Sequence, residues 1–410
     1  MKNSSYYFGQ YFLLVSIFAF ALIACNKDED DNNLPTPPIT YERGDIVETT
    51  NIGVFTPNDI QQIFDASNTP VLFDLNYDVT VLSISYYTVD GNDNQILTSG
   101  AFFIPQGTND VSLLCTPHGT ETKRDRVASV SPTNSTEGIV GLMTASMGYF
   151  TVVPDYPGFG VSTIMHPYIH AESLVPCVID FLRASKSYAS TNQIILDGNV
   201  FLTGYSEGGY MSLTTQKAIE EDYSDEFNLT AVAPCAGPYD LKGMFDTAVL
   251  VNIYGNPAYA AYLLTAYNKI YNWNRLDDFF NAAYSSKMTG LFDGSKTWGE
   301  IINQIPPTLS ELLNPAFVLD YNNGNEPDVQ SALAENTHLN WTPQTPIHFF
   351  HGEADSIVPF QNVLTAIDVF TSNGANDIQL TSIPGGTHQS SGLEAIVGAI
   401  EWIESFDEEK

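Results

Sequence analysis

The sequence predicts an α/β fold: a mostly parallel β-sheet with helices on both faces and a helical insertion late in the chain. Three observations predict it. Short, nearly continuous apolar runs alternate with helical stretches, a glycine-flanked serine stands between one such run and a helix, and one aromatic-rich segment breaks the alternation. Apolar runs of four to six residues are what strands covered on both faces look like, and helical crossovers between them imply parallel pairing.

Charge narrows the function classes. Fifteen basic residues stand against 48 acidic ones, a net charge of −33. No basic stripe is left to neutralise phosphates, so nucleic acid is excluded as a partner. The same field repels anionic substrates and headgroups, and a neutral substrate fits better than a phosphorylated one.

The N-terminus reads as an export signal. Lys2 supplies the positive end, and the apolar run from Tyr11 to Ala24 is too short for a comfortable membrane span. It ends in Leu22-Ile23-Ala24-Cys25, which resembles the lipobox of bacterial lipoproteins. That resemblance implies removal of residues 1–24, lipidation of Cys25, and a lipid-anchored protein at the bacterial outer membrane or cell surface. An uncleaved anchor with an incidental cysteine is the alternative. Residues 25–45 are acidic and then Pro-rich, which suits a flexible tether. The acidic run after Cys25 resembles the surface-export signal of certain Gram-negative lipoproteins.

The folded part begins near residue 46. Thr56-Pro57 opens a short helix with a capping residue and a first-turn proline. Val79–Thr88 and Ile96–Ile104 read as a hairpin around Asp90-Gly91-Asn92-Asp93-Asn94. Six apolar runs follow: 111–115, 149–153, 200–203, 229–233, 347–350 and 378–383. Helices are expected near 136–147, 173–188, 207–221, 360–373 and 389–405. Pro176 fits the second of these if Ser173 is its N-cap, because a first-turn N–H has no intrahelical partner. A longer, kinked helix from near Ile169 is the alternative.

Residues 241–342 offer no strand and are dense in aromatics: Phe245, Tyr254, Tyr259, Tyr262, Tyr267, Tyr271, Trp273, Phe279, Phe280 and Trp298. They read as a helical cap over the C-terminal edge of the sheet, where ligands of parallel sheets bind. Most of these aromatics should form the cap's own core. The sheet core is then 46–240 plus 343–410.

The chemistry starts at Val200-Phe201-Leu202-Thr203-Gly204-Tyr205-Ser206-Glu207-Gly208-Gly209. A strand entering G-x-S-x-G and leaving as a helix is a nucleophile elbow, which pushes the Ser206 hydroxyl out of the sheet. Side chains at Gly204 and Gly208 would collide with the neighbouring strand or helix. An acid is expected after a later strand and a histidine after the last one. Asp355 lies just past the 347–350 run, with Glu353 as the competing carboxylate. His388 follows the final run; His351 is expected to fix its loop and His348 to point into or across the sheet. His388 would take the Ser206 proton and Asp355 would orient the ring. Two N–H donors for an oxyanion are expected from Glu207 and from the loop Thr116-Pro117-His118-Gly119-Thr120, at Thr120 or else Gly119. The His118 side chain is expected to brace that loop.

Cys115, Cys177 and Cys235 lie far apart in apolar contexts with no CxxC or zinc spacing. Buried free thiols are expected, with one disulfide as the alternative. No metal or organic cofactor is implied, and a phosphate-cradling loop is missing from the sequence.

Taken in order, these motifs resemble the α/β-hydrolase superfamily over roughly residues 79–405 apart from the cap. Val153-Pro154-Asp155-Tyr156-Pro157-Gly158-Phe159-Gly160, His166-Pro167-Tyr168 and the GYSEGG elbow further resemble the secretory lipase group of esterases and lipases. The resemblance implies a monomeric carboxylic ester hydrolase acting on a small-molecule, lipid or polysaccharide-linked ester, with the membrane touched only through the anchor. Two alternatives stand beside it: a serine peptidase of prolyl-oligopeptidase type, and an inactive hydrolase scaffold serving as a surface binding protein. The first lacks room for its usual large N-terminal domain before residue 111; the second sits badly with an intact Ser, acid, His series.

Overall fold

The computed structural model describes residues 41–407 apart from 68, 109 and 252–254. The expected signal peptide, Cys25 and most of the tether lie outside the described residues, as does Tyr254 of the aromatic segment. Residues from Tyr41 onward form one unit, in which the aromatic segment and the sheet are not separated.

Among the described residues, nine strands form a single sheet: β1 (Ile46–Phe55), β2 (Val79–Val89), β3 (Gln95–Pro105), β4 (Val111–Cys115), β5 (Phe150–Pro154), β6 (Leu196–Tyr205), β7 (Asn228–Cys235), β8 (Ile347–Gly352) and β9 (Ile378–Ile383). Their spatial order is β1-β2-β3-β5-β4-β6-β7-β8-β9. The first three strands form an antiparallel meander, and β3 also pairs antiparallel with β5. From β5 to β9 every neighbouring pair is parallel. The β4 and β5 strands are buried at every residue, because helices cover both faces.

Five long helices supply that cover: α2 (Thr136–Met147) and α14 (Gly392–Asp407) on one face, α3 (Ala171–Thr191), α4 (Glu207–Asp222) and α13 (Gln361–Ser372) on the other. The short α1 (Pro57–Ala66) packs beside α2 and carries a complete capping box, with Thr56 and Asp59 each bonding the other's backbone N–H. Between β7 and β8 the described residues form helices and two isolated β-bridge positions, Ser295 with Lys123 and Phe280 with Leu313, but no strand; the helices are α5 (Leu241–Val251), α6 (Pro257–Ile270), α7 (Leu276–Phe279), α8 (Met288–Leu291), α9 (Trp298–Ile302), α10 (Leu309–Leu312), α11 (Pro315–Asn322) and α12 (Pro327–Glu335).

Two features differ from the sequence expectation. Helix α3 starts at Ala171 with His170 as N-cap, so Pro176 sits inside it and not in the first turn. The longer alternative is closer, and the helix forgoes the bond that residue 176 would donate to the Glu172 carbonyl. Ten buried side chains between Leu174 and Ala189 hold the helix in place regardless, led by Phe181 and Leu182. The β1 strand had no place in the sequence reading. Its Ile-Val-Glu-Thr-Thr-Asn-Ile-Gly-Val-Phe stretch lies mostly exposed at the sheet edge and has no period-2 burial to betray it. Two register irregularities break its ladder with β2, as suits an unpaired edge.

The core beneath α3 is aromatic. Phe102 is fully buried, with ring centroids 4.9 Å from Phe181, 5.3 Å from Phe150 and 5.6 Å from Tyr188. Phe102→Ala is expected to destabilise the fold by roughly 3–5 kcal/mol, from lost burial plus the cavity left behind. A denaturant midpoint unchanged from wild type would contradict this packing.

Candidate active site

Strand β6 ends at Tyr205 and helix α4 begins at Glu207, leaving Ser206 alone to turn the chain. It does so at φ 59° and ψ −117°, a conformation that costs an L-residue energy and survives only where the surroundings dictate it. The Ser206 N–H donates to the Cys235 carbonyl at the end of β7 (2.8 Å), and its own carbonyl accepts from Tyr210 in the first turn of α4 (3.0 Å). The turn closes only without side chains at two positions. A Cβ on Gly204 would stand 2.6 Å from the Gly208 backbone and the Pro117 carbonyl, and one on Gly208 would stand 2.1 Å from that same carbonyl. The collisions are therefore with α4 and the loop after β4.

The histidine and the acid arrive from the ends of β9 and β8. The His388 Nδ1 is 2.6 Å from Asp355 Oδ2, and His388 Nε2 is 2.9 Å from Ser206 Oγ. Asp355 Oδ1 accepts N–H bonds from Ile357 and Val358, both at 2.8 Å. Burial alone would push this carboxyl up. The His351 and His388 rings and the Val358 N–H outweigh that and hold it at about 2, so it is ionised at neutral pH. An ionised Asp355 only accepts, hence Nδ1 of a neutral His388 donates to it, Nε2 is left bare, and the Ser206 hydroxyl donates to Nε2. The Tyr205 hydroxyl pins the His388 carbonyl at 2.6 Å, tying the elbow to the histidine loop.

The competing groups fall elsewhere. Glu353 is exposed and accepts from Ser382 (2.8 Å). His351 Nε2 donates to the Val358 carbonyl (2.8 Å) and so braces the acid loop, while His348 bonds Thr381 across the sheet and stacks on Phe350. Cys115, Cys177 and Cys235 are free and buried.

Of the expected oxyanion donors, Gly119 is committed: its N–H donates to Glu137 Oε1 at 2.8 Å. That removes the second choice, for an N–H held by a carboxylate has no bond left for a substrate. Thr120 lines the same cleft as Ser206, and its hydroxyl bonds Tyr168 (3.0 Å). The N–H groups of Thr120 and Glu207 find no hydrogen-bond partner among the described residues. His118 braces the loop, bonded to the Gly119 and Asp155 carbonyls.

Sequence reasoning missed the polar groups packed behind the elbow. The Glu207 side chain runs inward to His166 Nε2 (2.8 Å), and both are buried. His166 belongs to the His-Pro-Tyr motif, which was the one available signal, yet nothing in the spacing couples it to residue 207. The DYPGFG stretch is structural in the same way. The Asp155 carboxylate is buried and accepts from both Ser99 (2.6 Å) and Ser129, and the Tyr156 hydroxyl donates to the His118 carbonyl (3.1 Å).

Two spaces meet at Ser206. A narrow pocket of about 40 Å³ runs under the helical segment and is lined by Leu241, Phe245, Tyr259, Leu263 and Ile357. A larger cleft of about 560 Å³ reaches Ser206 together with His388, Gly119 and Thr120. Tyr262 joins the helical segment to the sheet core, stacked between Tyr168 (4.3 Å) and Phe292 (4.5 Å).

Comparison with known proteins finds lipases and esterases among those similar to this chain. The Secretory lipase family model matches residues 313–409, the part that carries Asp355 and His388. A curated relative, Lipase 4 of Candida albicans, is 22% identical over 275 residues, 62% of this chain; the match spans only 55% of that protein's length. The rice cell wall degrading esterase LipA of Xanthomonas oryzae superposes with a TM-score of 0.78 at 27% identity, over 87% of this chain and 95% of that one. A putative hydrolase of Legionella pneumophila (TM-score 0.80, 23% identity, 88% and 98% covered) and Candida antarctica lipase A (0.67, 16%, 89% and 82%) share the fold. The chain is thus an α/β-hydrolase-fold protein, lipase-like in its last quarter and similar in structure to esterases and lipases.

Proposed function

We propose that this protein hydrolyses neutral carboxylic esters through an acyl-Ser206 intermediate. One observation carries the reading: an unbroken hydrogen-bonded series, Asp355 to His388 to Ser206, that ends on a strained and therefore enforced turn. Ser206 Oγ attacks the ester carbonyl while His388 Nε2 takes its proton, and the resulting imidazolium is stabilised by ionised Asp355. The tetrahedral oxyanion is met by the N–H groups of Glu207 and Thr120. His388 then protonates the departing alcohol, and a water activated by the same nitrogen releases the acid. Because His388 borders the larger cleft and not the narrow pocket, the alcohol is assigned to the cleft and the acyl group to the apolar pocket.

Ser206→Ala is expected to fold normally, lose activity on p-nitrophenyl esters on the order of a millionfold, and stop reacting with a fluorophosphonate probe. Persistent labelling of that variant would move the nucleophile elsewhere. In the same assay Asp355→Ala should be severe and Glu353→Ala mild, and the reverse order would exchange the acid. Turnover of an amide in preference to the esters would favour the peptidase alternative.

Stability should follow the Asp355 carboxyl. Its folded value of about 2 lies below the roughly 3.9 of an unfolded aspartate. The stabilisation is therefore fully present above about pH 4 and lost as pH falls through about 2. Wild type should be more stable than Asp355→Asn at pH 7, with the gap closing between about pH 4 and 2. Denaturant midpoints that keep a constant gap over that range would show the carboxylate unperturbed.

The export reading rests on the LIAC motif and the short apolar run, both outside the described residues. The chain is proposed to be exported, cleaved before Cys25, and anchored at the outer membrane or cell surface by its lipid. Radiolabelled palmitate should enter the wild-type protein and fail to enter Cys25→Ser; equal incorporation by both would dismiss the lipobox.

A further inference from the structure

His118 has two carbonyl oxygens against its ring: Gly119 O is 2.7 Å from Nδ1 and Asp155 O is 2.8 Å from Nε2. A carbonyl oxygen only accepts, so both ring nitrogens must donate. Only the doubly protonated imidazolium carries two N–H groups. Turning the ring over would aim C–H groups at the same oxygens, so ring assignment does not lift the requirement.

We propose that His118 is a positioning residue held as an imidazolium, whose two hydrogen bonds aim the Thr120 N–H at the developing oxyanion. The last clause rests on the ester-hydrolase reading; the charge state does not. In a trans peptide the carbonyl of residue 119 and the N–H of residue 120 point in opposite directions. Holding Gly119 O against His118 therefore turns the Thr120 N–H away from His118, in a loop that lines the cleft at Ser206. Glu137 fixes the other side of the same residue by accepting the Gly119 N–H at 2.8 Å. A cation bonded to the carbonyl also polarises that peptide and makes its N–H a stronger donor.

The surroundings suit a buried cation. Glu137 comes from α2 and Glu207 from α4; the Asp155 carboxylate after β5, the Tyr156 ring at 4.1 Å and the Phe159 edge at 5.3 Å complete the shell, with His166 behind Tyr156. Burial by itself lowers the His118 value. Glu137 and Glu207, with the two carbonyl bonds, overcome it and leave the ring above its ordinary range. The neutral ring can donate to only one carbonyl. Its bare nitrogen would repel the other, the 119–120 peptide would be free to turn, and the oxyanion donor would be lost on the alkaline side.

Ring ¹⁵N NMR of the full-length protein in detergent tests the charge, with His118 picked out among the seven histidines by its absence from His118→Gln. At pH 7.5 both of its nitrogens should bear protons; a single protonated nitrogen overturns the proposal. The second-order rate of fluorophosphonate labelling tests the positioning role and needs no ester. It should fall about 100-fold in His118→Gln, the loss expected for one oxyanion donor. On an ester, kcat should fall by a similar factor with KM held within about 2-fold. A folded His118→Gln that labels at the wild-type rate overturns the role.

Should that variant not fold, Glu137→Gln keeps an acceptor for Gly119 and removes the countercharge. It should move both the His118 titration and the alkaline limb of the labelling rate to lower pH, and unmoved profiles overturn the proposal. A wild-type protein that labels at Ser206 but cleaves no ester would sink the ester reading, while His118 is judged by its protons and the labelling rates.

Discussion

Everything at the site depends on the turn at Ser206 being held in a conformation it would not choose. The φ of 59° is enforced from three directions: β7 takes the N–H, α4 takes the carbonyl, and the loop after β4 closes over Gly204 and Gly208 at backbone contact. Relaxing any of these would let the serine fall back toward an ordinary strand-to-helix connection and withdraw its hydroxyl from His388. Other strained residues lie beside it. Tyr156 at φ 66° follows β5 and Ala236 at φ 46° follows β7, so three of the parallel strands, β5, β6 and β7, turn sharply at the same edge of the sheet. Strain concentrated in this way is affordable only on a rigid base, and the parallel strands beneath, covered on both faces, provide it.

Behind the turn sits a second constraint, the disposal of buried charge. Glu207 must lie at the start of α4 to offer its N–H, and its side chain is driven inward, where a lone carboxylate would be costly. His166 meets it, Glu137 takes a backbone N–H, and His118 bridges two carbonyls nearby. These groups come from four separate chain segments: Glu137 and His118 bond the backbone of the loop facing the elbow, and His166 links the Glu207 side chain to the Pro157 carbonyl. Polar groups in a low-dielectric pocket either satisfy one another or destabilise the fold, so the same bonds that satisfy them also hold the elbow and the facing loop, whose two N–H groups are proposed to meet the oxyanion.

How much of this could be read from the sequence follows from the range of each interaction. The central strands and the serine elbow were legible because their signals are local: an apolar run between turn residues, or glycines one residue either side of a serine. Asp355 and His388 were legible one step further, since their place after β8 and β9 is fixed by chain order. The β1 strand was not, because an edge strand with neither face buried carries no alternation. Pro176 misled for a related reason. Its rule concerns a local hydrogen bond, whereas α3 is held by Phe181 and its neighbours in the core. The pairing of Glu207 with His166, and of Gly119 with Glu137, spans 41 and 18 residues and obeys no period; only the folded coordinates bring them together.

The acidity of the chain then acquires a role that composition alone left open. The groups that would do the chemistry find their partners locally: ionised Asp355 accepts from His388, Glu207 meets His166, and Glu137 and Glu207 lie near His118. The unbalanced charge belongs to the protein as a whole, as a long-range field of one sign. A neutral ester enters such a field without opposition. The carboxylate it leaves behind does not share that neutrality, and the field opposes its retention in a cleft that opens to solvent. On the proposed reaction, therefore, the same surplus of aspartate and glutamate that is indifferent to the substrate acts against the product, and it does so without touching the geometry on which the bond-breaking step depends.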